Sequence, residues 1–249
     1  MAKKFTVKFL EGRKCIFCGK YRIYRLANKR VKCGACGRYY SLSKLKRDLD
    51  VLYYFCLELS ANKTASLLEL DYETVHSRYM FFREKIAGYL DNNFCKLSGE
   101  LEIDESYFGG KKKGKRGRGA LNKVVVFGIL ERNGKVYTTV VPDVSAETLM
   151  AEIKAKTEKG SVFYTDDFKS YKSLKHYGKH SKVKKTKAYA IGRTHINGIE
   201  GFWSFAKERF YKYHGIHKDN YYLYLKEMEF RFNNRNSDIF KKMFEIIYT

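Results

Sequence analysis

Four cysteines in two CxxC pairs constrain this chain more than any other feature: Cys15-Ile-Phe-Cys18, then fourteen residues, then Cys33-Gly-Ala-Cys36. Two such pairs can place four thiolates tetrahedrally around one Zn²⁺, each pair turning back through a tight knuckle. Gly19 and Gly37 follow the second cysteine of each pair, where a knuckle needs a residue free to take positive φ. Between the pairs, Tyr21, Ile23, Tyr24 and Val31 are strand-like. Disulfides or a redox CxxC are the competing readings, but a reduced compartment suits four metal-binding thiolates better. The spacing predicts a structural zinc ribbon over residues 1–43, a module with too little core to fold without its metal. Cys56 and Cys95 stand alone in apolar surroundings and read as packing residues.

Residues 44–97 carry helical periodicity. Leu45, Leu49, Leu52, Tyr53 and Cys56 recur at three- and four-residue steps. A short helix from Lys63 to Leu68 precedes a turn at Glu69-Leu70-Asp71, and a longer helix runs from Tyr72 to Leu90 with Val75, Tyr79, Phe82 and Ile86 on one face. Asp71 can cap that helix. A small helical bundle would show the same periodicity, yet the proportions match a helix-turn-helix, with Thr74, His76 and Arg78 at the leading end as candidate DNA contacts.

From residue 98 the period changes from helical to alternating. Glu100–Phe108 reads as a strand, and Lys123–Leu130 and Lys135–Val141 as two more, joined at Arg132-Asn133-Gly134, whose Asn-Gly is a strong hairpin signal. Ser145 can cap a helix through Thr157; a strand at Ser161–Thr165, a helix near Phe168–His176, a basic strand near Val183–Ala188 and a helix from Thr194 follow. Strands first, then alternating helices and strands, is the order of a ribonuclease-H-like domain with a mixed sheet. The fold class is thus α+β or α/β and multi-domain: ribbon 1–43, helical domain 44–97, catalytic domain 98–249 with C-terminal helices.

Charge narrows the partner. Fifty Lys and Arg against 27 Asp and Glu give +23, and 16% of residues are aromatic. A field of that sign attracts polyanions, and aromatics interleaved with cations suit nucleic acid better than acidic membrane. No apolar run is long enough to cross a bilayer and Met1 leads into no signal-like stretch, so the chain reads as soluble and intracellular, in cytoplasm or nucleus according to its host. One basic tract, Lys111, Lys112, Lys113, Lys115, Arg116 and Arg118, follows the first strand in a Gly-rich loop, and Lys182–Lys187 forms another. Either can be a solvated loop; beside a catalytic site they suit DNA backbone.

Three acids stand out by placement. Asp104 lies mid-strand and shares a face with Glu102 and Ser106; Asp166 follows the Val162–Tyr164 strand; Glu200 lies on the helix after Thr194. Sixty-two residues separate the first pair and 34 the second. Close carboxylates repel unless divalent cations neutralise them. Mg²⁺ or Mn²⁺ accepts one or two carboxylates and keeps its other positions for water and phosphate oxygens. Asn197, Glu200 and Lys207 project from one side of their helix, Lys207 two turns beyond Glu200. Lys207 reads either as a DNA contact or as a solvated lysine. Trp203 and Phe210 read as core anchors.

Glu102-Ile-Asp-Glu-Ser-Tyr-Phe-Gly-Gly-Lys111, Tyr164-Thr-Asp-Asp-Phe-Lys-Ser-Tyr171 and His195-Ile-Asn-Gly-Ile-Glu-Gly-Phe-Trp-Ser-Phe-Ala-Lys207 resemble the three blocks of DDE insertion-sequence transposases, in particular the group related to eukaryotic Merlin transposons. Members of that group also carry a zinc ribbon and a helix-turn-helix, so the resemblance spans nearly the whole chain. It implies that Asp104, Asp166 and Glu200 are catalytic metal ligands and Lys207 an accessory DNA contact. Some relatives use Asn as the third ligand, which leaves Asn197 as the alternative to Glu200. The implied activity is transposition: recognition of terminal inverted repeats, hydrolysis at the transposon end and joining of the 3′-hydroxyl to target DNA, by a homodimer or larger assembly. A nuclease or resolvase that does not join, and a domesticated DNA-binding regulator without catalysis, are the alternatives.

Overall fold

The computed structural model describes residues 8–109, 123–183, 194–213 and 215–248. They form two compact units, one of residues up to Tyr89 together with those from Asn234 on, the other Leu90–Asn233.

In the first unit, β1 (Ile23–Arg25), β2 (Arg30–Cys33) and β3 (Tyr39–Ser41) make an antiparallel sheet in that order. The third strand was not expected; it pairs with β2 from Arg30↔Ser41 to Lys32↔Tyr39. Ser41 ends it and caps α1 (Leu42–Cys56) by accepting from Lys44 N at 3.3 Å. Ser60 does the same for α2 (Ala61–Leu68), which closes on Glu69 in the left-handed region. The anticipated Asp71 cap accepts from Thr74 N at 3.2 Å and starts α3 (Tyr72–Asn92). Phe55 of α1 meets Tyr79 and Phe82 of α3 edge-on at 5.0 and 5.4 Å, and the Tyr79 hydroxyl meets that of Thr64 on α2 at 2.8 Å. The C-terminal helix Ile239–Tyr248 belongs here too, not with the 98–249 domain in which the sequence reading had put it. Its buried Phe240 and Phe244 stack near Tyr53 and Phe9, at 6.3 and 5.1 Å.

In the second unit the order is β4 (Glu100–Phe108), β5 (Val124–Glu131), β6 (Val136–Val141), α4 (Ala146–Lys156), β7 (Val162–Asp166), a 3-10 helix (Lys169–His176), β8 (Lys179–Val183), α5 (Asn197–Lys212) and α6 (Tyr221–Asn233). The sheet runs β6-β5-β4-β7-β8; β5 is antiparallel to both neighbours, and β4, β7 and β8 are mutually parallel. A hairpin meander fills one edge and helix-linked parallel strands the other, as parallel pairing requires. This is the ribonuclease-H-like arrangement. Lys179–Val183 pairs residue for residue with Val162–Asp166, and of the expected strand Val183–Ala188 all but Val183 lies outside the described residues. An edge strand reading Lys-His-Ser-Lys-Val offers no apolar period to recognise.

Alternation on the central strands sends residues to two cores. Leu101, Ile103, Phe127, Phe163 and Leu149 pack on the α4 side. Val126, Leu130, Tyr164, Ile199, Phe202 and Trp203 pack on the α5 side. Glu102, Asp104 and Ser106 therefore face α5.

Strand β6 is an edge, and α6 closes it. The Asn233 amide accepts from Val136 N and donates to Val136 O, both at 2.8 Å, and Glu229 accepts from Thr138 N and Oγ1 at 2.9 and 2.8 Å. Side chains four apart on the helix thus satisfy backbone groups two apart on the strand, which blunts the edge against further pairing. Lys226 donates to Glu229 at 2.9 Å, both groups buried. Burial pushes the Glu229 carboxyl up and the Lys226 ammonium counters it. Among the described residues no helix is long and apolar enough to cross a membrane. Replacing Glu229 with Ala leaves a buried ammonium and a strand amide unpaired; urea denaturation should show a loss of about 3–5 kcal/mol.

Candidate active site

The site is organised by Glu102, which the sequence placed on the right face but gave no role. Its carboxylate is 1% exposed. Oε2 accepts from Ile199 N at 3.0 Å, in the first turn of α5, and Oε1 accepts from Arg132 Nε at 2.9 Å. Arg132 also donates from Nη2 to His195 O at 2.6 Å and lies 3.8 Å from the Tyr164 ring centroid. A buried charge is thus paired, and a free amide at the helix start is capped by an anion from the neighbouring sheet. Gly198 allows the approach: a Cβ there would sit 2.8 Å from Glu102 Oε2.

Two residues along the same face comes Asp104. Its Oδ2 accepts from the Trp203 indole N–H at 3.2 Å. The same indole packs on β5 at Gly128, where a Cβ would fall 2.6 Å from the ring. Trp203 is therefore a core anchor, as expected, and also holds a carboxylate, which was not foreseen. Lys207, one turn beyond, is desolvated, which lowers its pKa; Asp104 opposes that shift and Lys123 adds to it.

Asp166 is the last residue of β7 rather than the first beyond it. The parallel ladder ends at Glu102 and Tyr164, so Asp104 and Asp166 each lie two residues beyond its last pair. Asp166 Oδ1 accepts from Phe168 N at 3.1 Å. Tyr171, on the 3-10 helix that follows, donates its hydroxyl to Glu105 at 2.5 Å. Its pKa is raised well above the usual range, first by burial, then by Glu105, with Asp104 and Asp166 adding to the effect. Asp167 turns to Lys182 at 2.7 Å.

Glu200 lies in the first turn of α5, exposed, one turn before Trp203; Asn197, also exposed, is the first residue of that helix. Hard carboxylate oxygens from two parallel strands and the helix over them suit Mg²⁺ or Mn²⁺ in donor chemistry. The three do not, however, close to the spacing of the thiolate group: among the described residues, Cys15, Cys18, Cys33 and Cys36 are the one set of three or more His, Cys, Asp or Glu whose ligand atoms all lie within 4.8 Å of one another. Cys15 and Cys36 sulfurs are 3.8 Å apart, Cys18 and Cys33 3.6 Å. A tetrahedron of Zn–S bonds of about 2.3 Å needs roughly 3.8 Å. Each knuckle repeats the other. Phe17 N donates to Cys15 Sγ and Ala35 N to Cys33 Sγ, both at 3.4 Å, and Gly19 and Gly37 take φ of 66° and 72°. The cluster can hold a metal ion.

The remaining expected contacts divide. Thr74 and His76 are half-buried near the start of α3. Arg78 turns inward, 3.3 Å from Asp48 and over the Phe81 and Phe82 rings at 4.5 and 5.3 Å. Its guanidinium thus serves the helical packing while the side chain stays 26% exposed. Lys111, Lys112, Lys113, Lys115, Arg116 and Arg118 lie outside the described residues, as does Lys184–Lys187.

A ribonuclease-H-like sheet with carboxylates on two adjacent parallel strands, beneath a helix bearing a third, defines a class of nucleic-acid-processing enzymes. Residues 96–233 match the ISXO2-like transposase domain, and the chain belongs to that family. It is 44% identical over 101 residues to an uncharacterized transposase-like protein of Haemophilus influenzae, covering 40% of this chain and 82% of that one. Among solved structures, the catalytic core domain of BIV integrase aligns with 57% of this chain and 86% of its own at 12% identity and a TM-score of 0.38. The Mos1 strand transfer complex aligns with 80% and 77% at 13% identity and a TM-score of 0.29. The fold assignment rests on the strand order and not on these likenesses.

Replacing Trp203 with Phe keeps an aromatic ring but removes the donor to Asp104. If Asp104 holds a divalent cation, the Mg²⁺ concentration needed to half-saturate the protein should rise about 10- to 100-fold while circular dichroism stays native. An unchanged metal requirement would reduce Trp203 to packing alone.

Proposed function

We propose that this chain is a DDE transposase that cleaves transposon-end DNA and joins the resulting 3′-hydroxyl to a target strand. The reading rests most on Asp104 and Asp166, each two residues past the last pair of one parallel ladder, with Glu200 and Lys207 on the helix whose Trp203 holds Asp104. Asp104, Asp166 and Glu200 would hold Mg²⁺ or Mn²⁺, which supplies activation of the attacking oxygen and charge stabilisation of the leaving one. The chain's own groups do the rest. Trp203 fixes Asp104 Oδ2 by donating to it from the indole N–H. The Phe168 amide fixes Asp166 in the same way. Lys207 presents an ammonium beside Asp104 and can hold a substrate phosphate. Cys15, Cys18, Cys33 and Cys36 hold a structural Zn²⁺, and the ribbon with α1–α3 binds the terminal inverted repeats. Two ends must meet for joining, so the active species is a homodimer or larger.

The test is incubation with end-bearing DNA, a target plasmid and Mg²⁺. Strand-transfer products support the reading; cleavage without joining makes the protein a nuclease or resolvase. Asp104→Asn and Asp166→Asn should each lower the rate at least about a thousandfold, a loss of roughly 4 kcal/mol of transition-state stabilisation. Glu200→Gln should match them; if Asn197→Ala abolished cleavage while Glu200→Gln did not, the third ligand would be Asn197.

Zinc has its own readout. Cys15→Ser should release the metal, measured by elemental analysis, and abolish repeat binding at concentrations where the wild type is saturated.

A further inference from the structure

The outer face of the three-stranded ribbon has no part in the chemistry above. Tyr24, Lys32 and Tyr39 lie directly opposite one another across β1, β2 and β3, because the register pairs Tyr24 with Lys32 and Lys32 with Tyr39. Directly opposed residues in antiparallel strands share a face, so the three side chains form one row across the sheet. Both tyrosines are large exposed aromatics, at 48% and 52%. Val31 and Cys33, on the other face, are fully buried. The row is stiffened by its cations. Arg22 Nε donates to the Tyr24 hydroxyl at 3.1 Å, and Lys32 Nζ lies 5.1 Å from the Tyr39 ring centroid. Arg30 joins the same face, opposite Ser41. Over residues 8–41 the chain has ten Lys and Arg against one acid, Glu11.

We infer that this row is a stacking platform for unpaired bases of DNA, with Arg22, Arg30 and Lys32 on the flanking phosphates. The charge fits a polyanion and disfavours a second copy of the same basic face, which it would repel. Exposed rings on a flat sheet gain most from the π-faces of bases, and a duplex hides those faces inside its own stack. Neighbouring strands lie about 4.8 Å apart, so two rows put the tyrosines roughly 10 Å from each other with the lysine between them. That spacing suits two splayed bases and the phosphates joining them. The platform would engage frayed or single-stranded DNA at a transposon end. The inference rests on the DNA-processing reading and adds to it the state of the DNA.

The experiment compares a fluorescein-labelled duplex with a 3′ single-stranded overhang against the same duplex blunt, by anisotropy with the full-length protein. Wild type should bind the overhang DNA more tightly. Tyr24→Ala with Tyr39→Ala should weaken overhang binding at least about tenfold and leave blunt binding within twofold. Tyr24→Phe with Tyr39→Phe should retain the preference, since the ring and not the hydroxyl stacks; this pair also separates stacking from a fold defect, because Tyr24 packs against the Gly34 knuckle. Equal losses on both DNAs, or none on either, overturn the platform. A wild type that binds blunt duplex without preference overturns the platform alone, whereas one that binds neither DNA overturns the transposase reading as well.

Discussion

The catalytic unit depends on one buried carboxylate, Glu102. A helix start leaves amides without partners and carries partial positive charge, and an anion placed there answers both. Taking a carboxylate out of water is costly, so it must be paired as well. Arg132 does this from the β5–β6 hairpin, and through its second nitrogen it also holds the carbonyl of His195, just ahead of α5. Sheet, hairpin and helix meet at a single charge pair. Every group that α5 carries, from Asn197 to Lys207, takes its height above the sheet from that anchor, and Gly198 and Gly128 set how close the helix comes.

The same face shows why two acids two residues apart have opposite fates. Glu102 is neutralised by Arg132 and consumed by the helix start, leaving it no oxygen to offer a ligand. Asp104 accepts from a neutral donor, the Trp203 indole, remains partly exposed and lies near enough to Lys207 to favour its charged form. A neutral hydrogen bond orients a carboxylate without cancelling its charge. A guanidinium would orient it and compete with any cation for it. The chemistry of the partner, more than the position along the strand, separates a scaffold acid from a site acid.

Features legible in the sequence were local ones. The cysteine knuckles with Gly19 and Gly37, the caps at Asp71 and Ser145 and the alternation of β4 each depend on residues within a few positions. What escaped was carried by contacts distant along the chain. Glu102 reaches an amide 97 residues on, and Asn233 reaches Val136 across the same interval. Neither leaves a periodic trace. The C-terminal helix has a plain apolar face, but periodicity does not say which core that face will join. Arg78 looked like a surface cation at the head of a helix because nothing nearby announces Asp48, thirty residues earlier, as its partner. Trp203 was legible as an anchor by size alone; its N–H donor role needed the register of β4.

Charge is partitioned in the same spirit. Among the described residues, three cations in or at the cores pair with buried acids, Lys226 with Glu229, Arg231 with Glu227 and Arg132 with Glu102, while the buried Arg83 lies against Met80 and the Phe55 and Tyr79 rings. These pairs cancel internally, so none of the surplus of +23 comes from them; the ribbon, with its ten Lys and Arg against one acid, carries part of it. Pairs shut away from water are screened little by salt, whereas exposed cations are screened within about 10 Å at 0.1 M. Ionic strength thus acts on the two halves of the chemistry unequally. On the proposed function it would weaken a hold on DNA backbone while leaving the Glu102 anchor, and with it the spacing of α5 over Asp104, as it was.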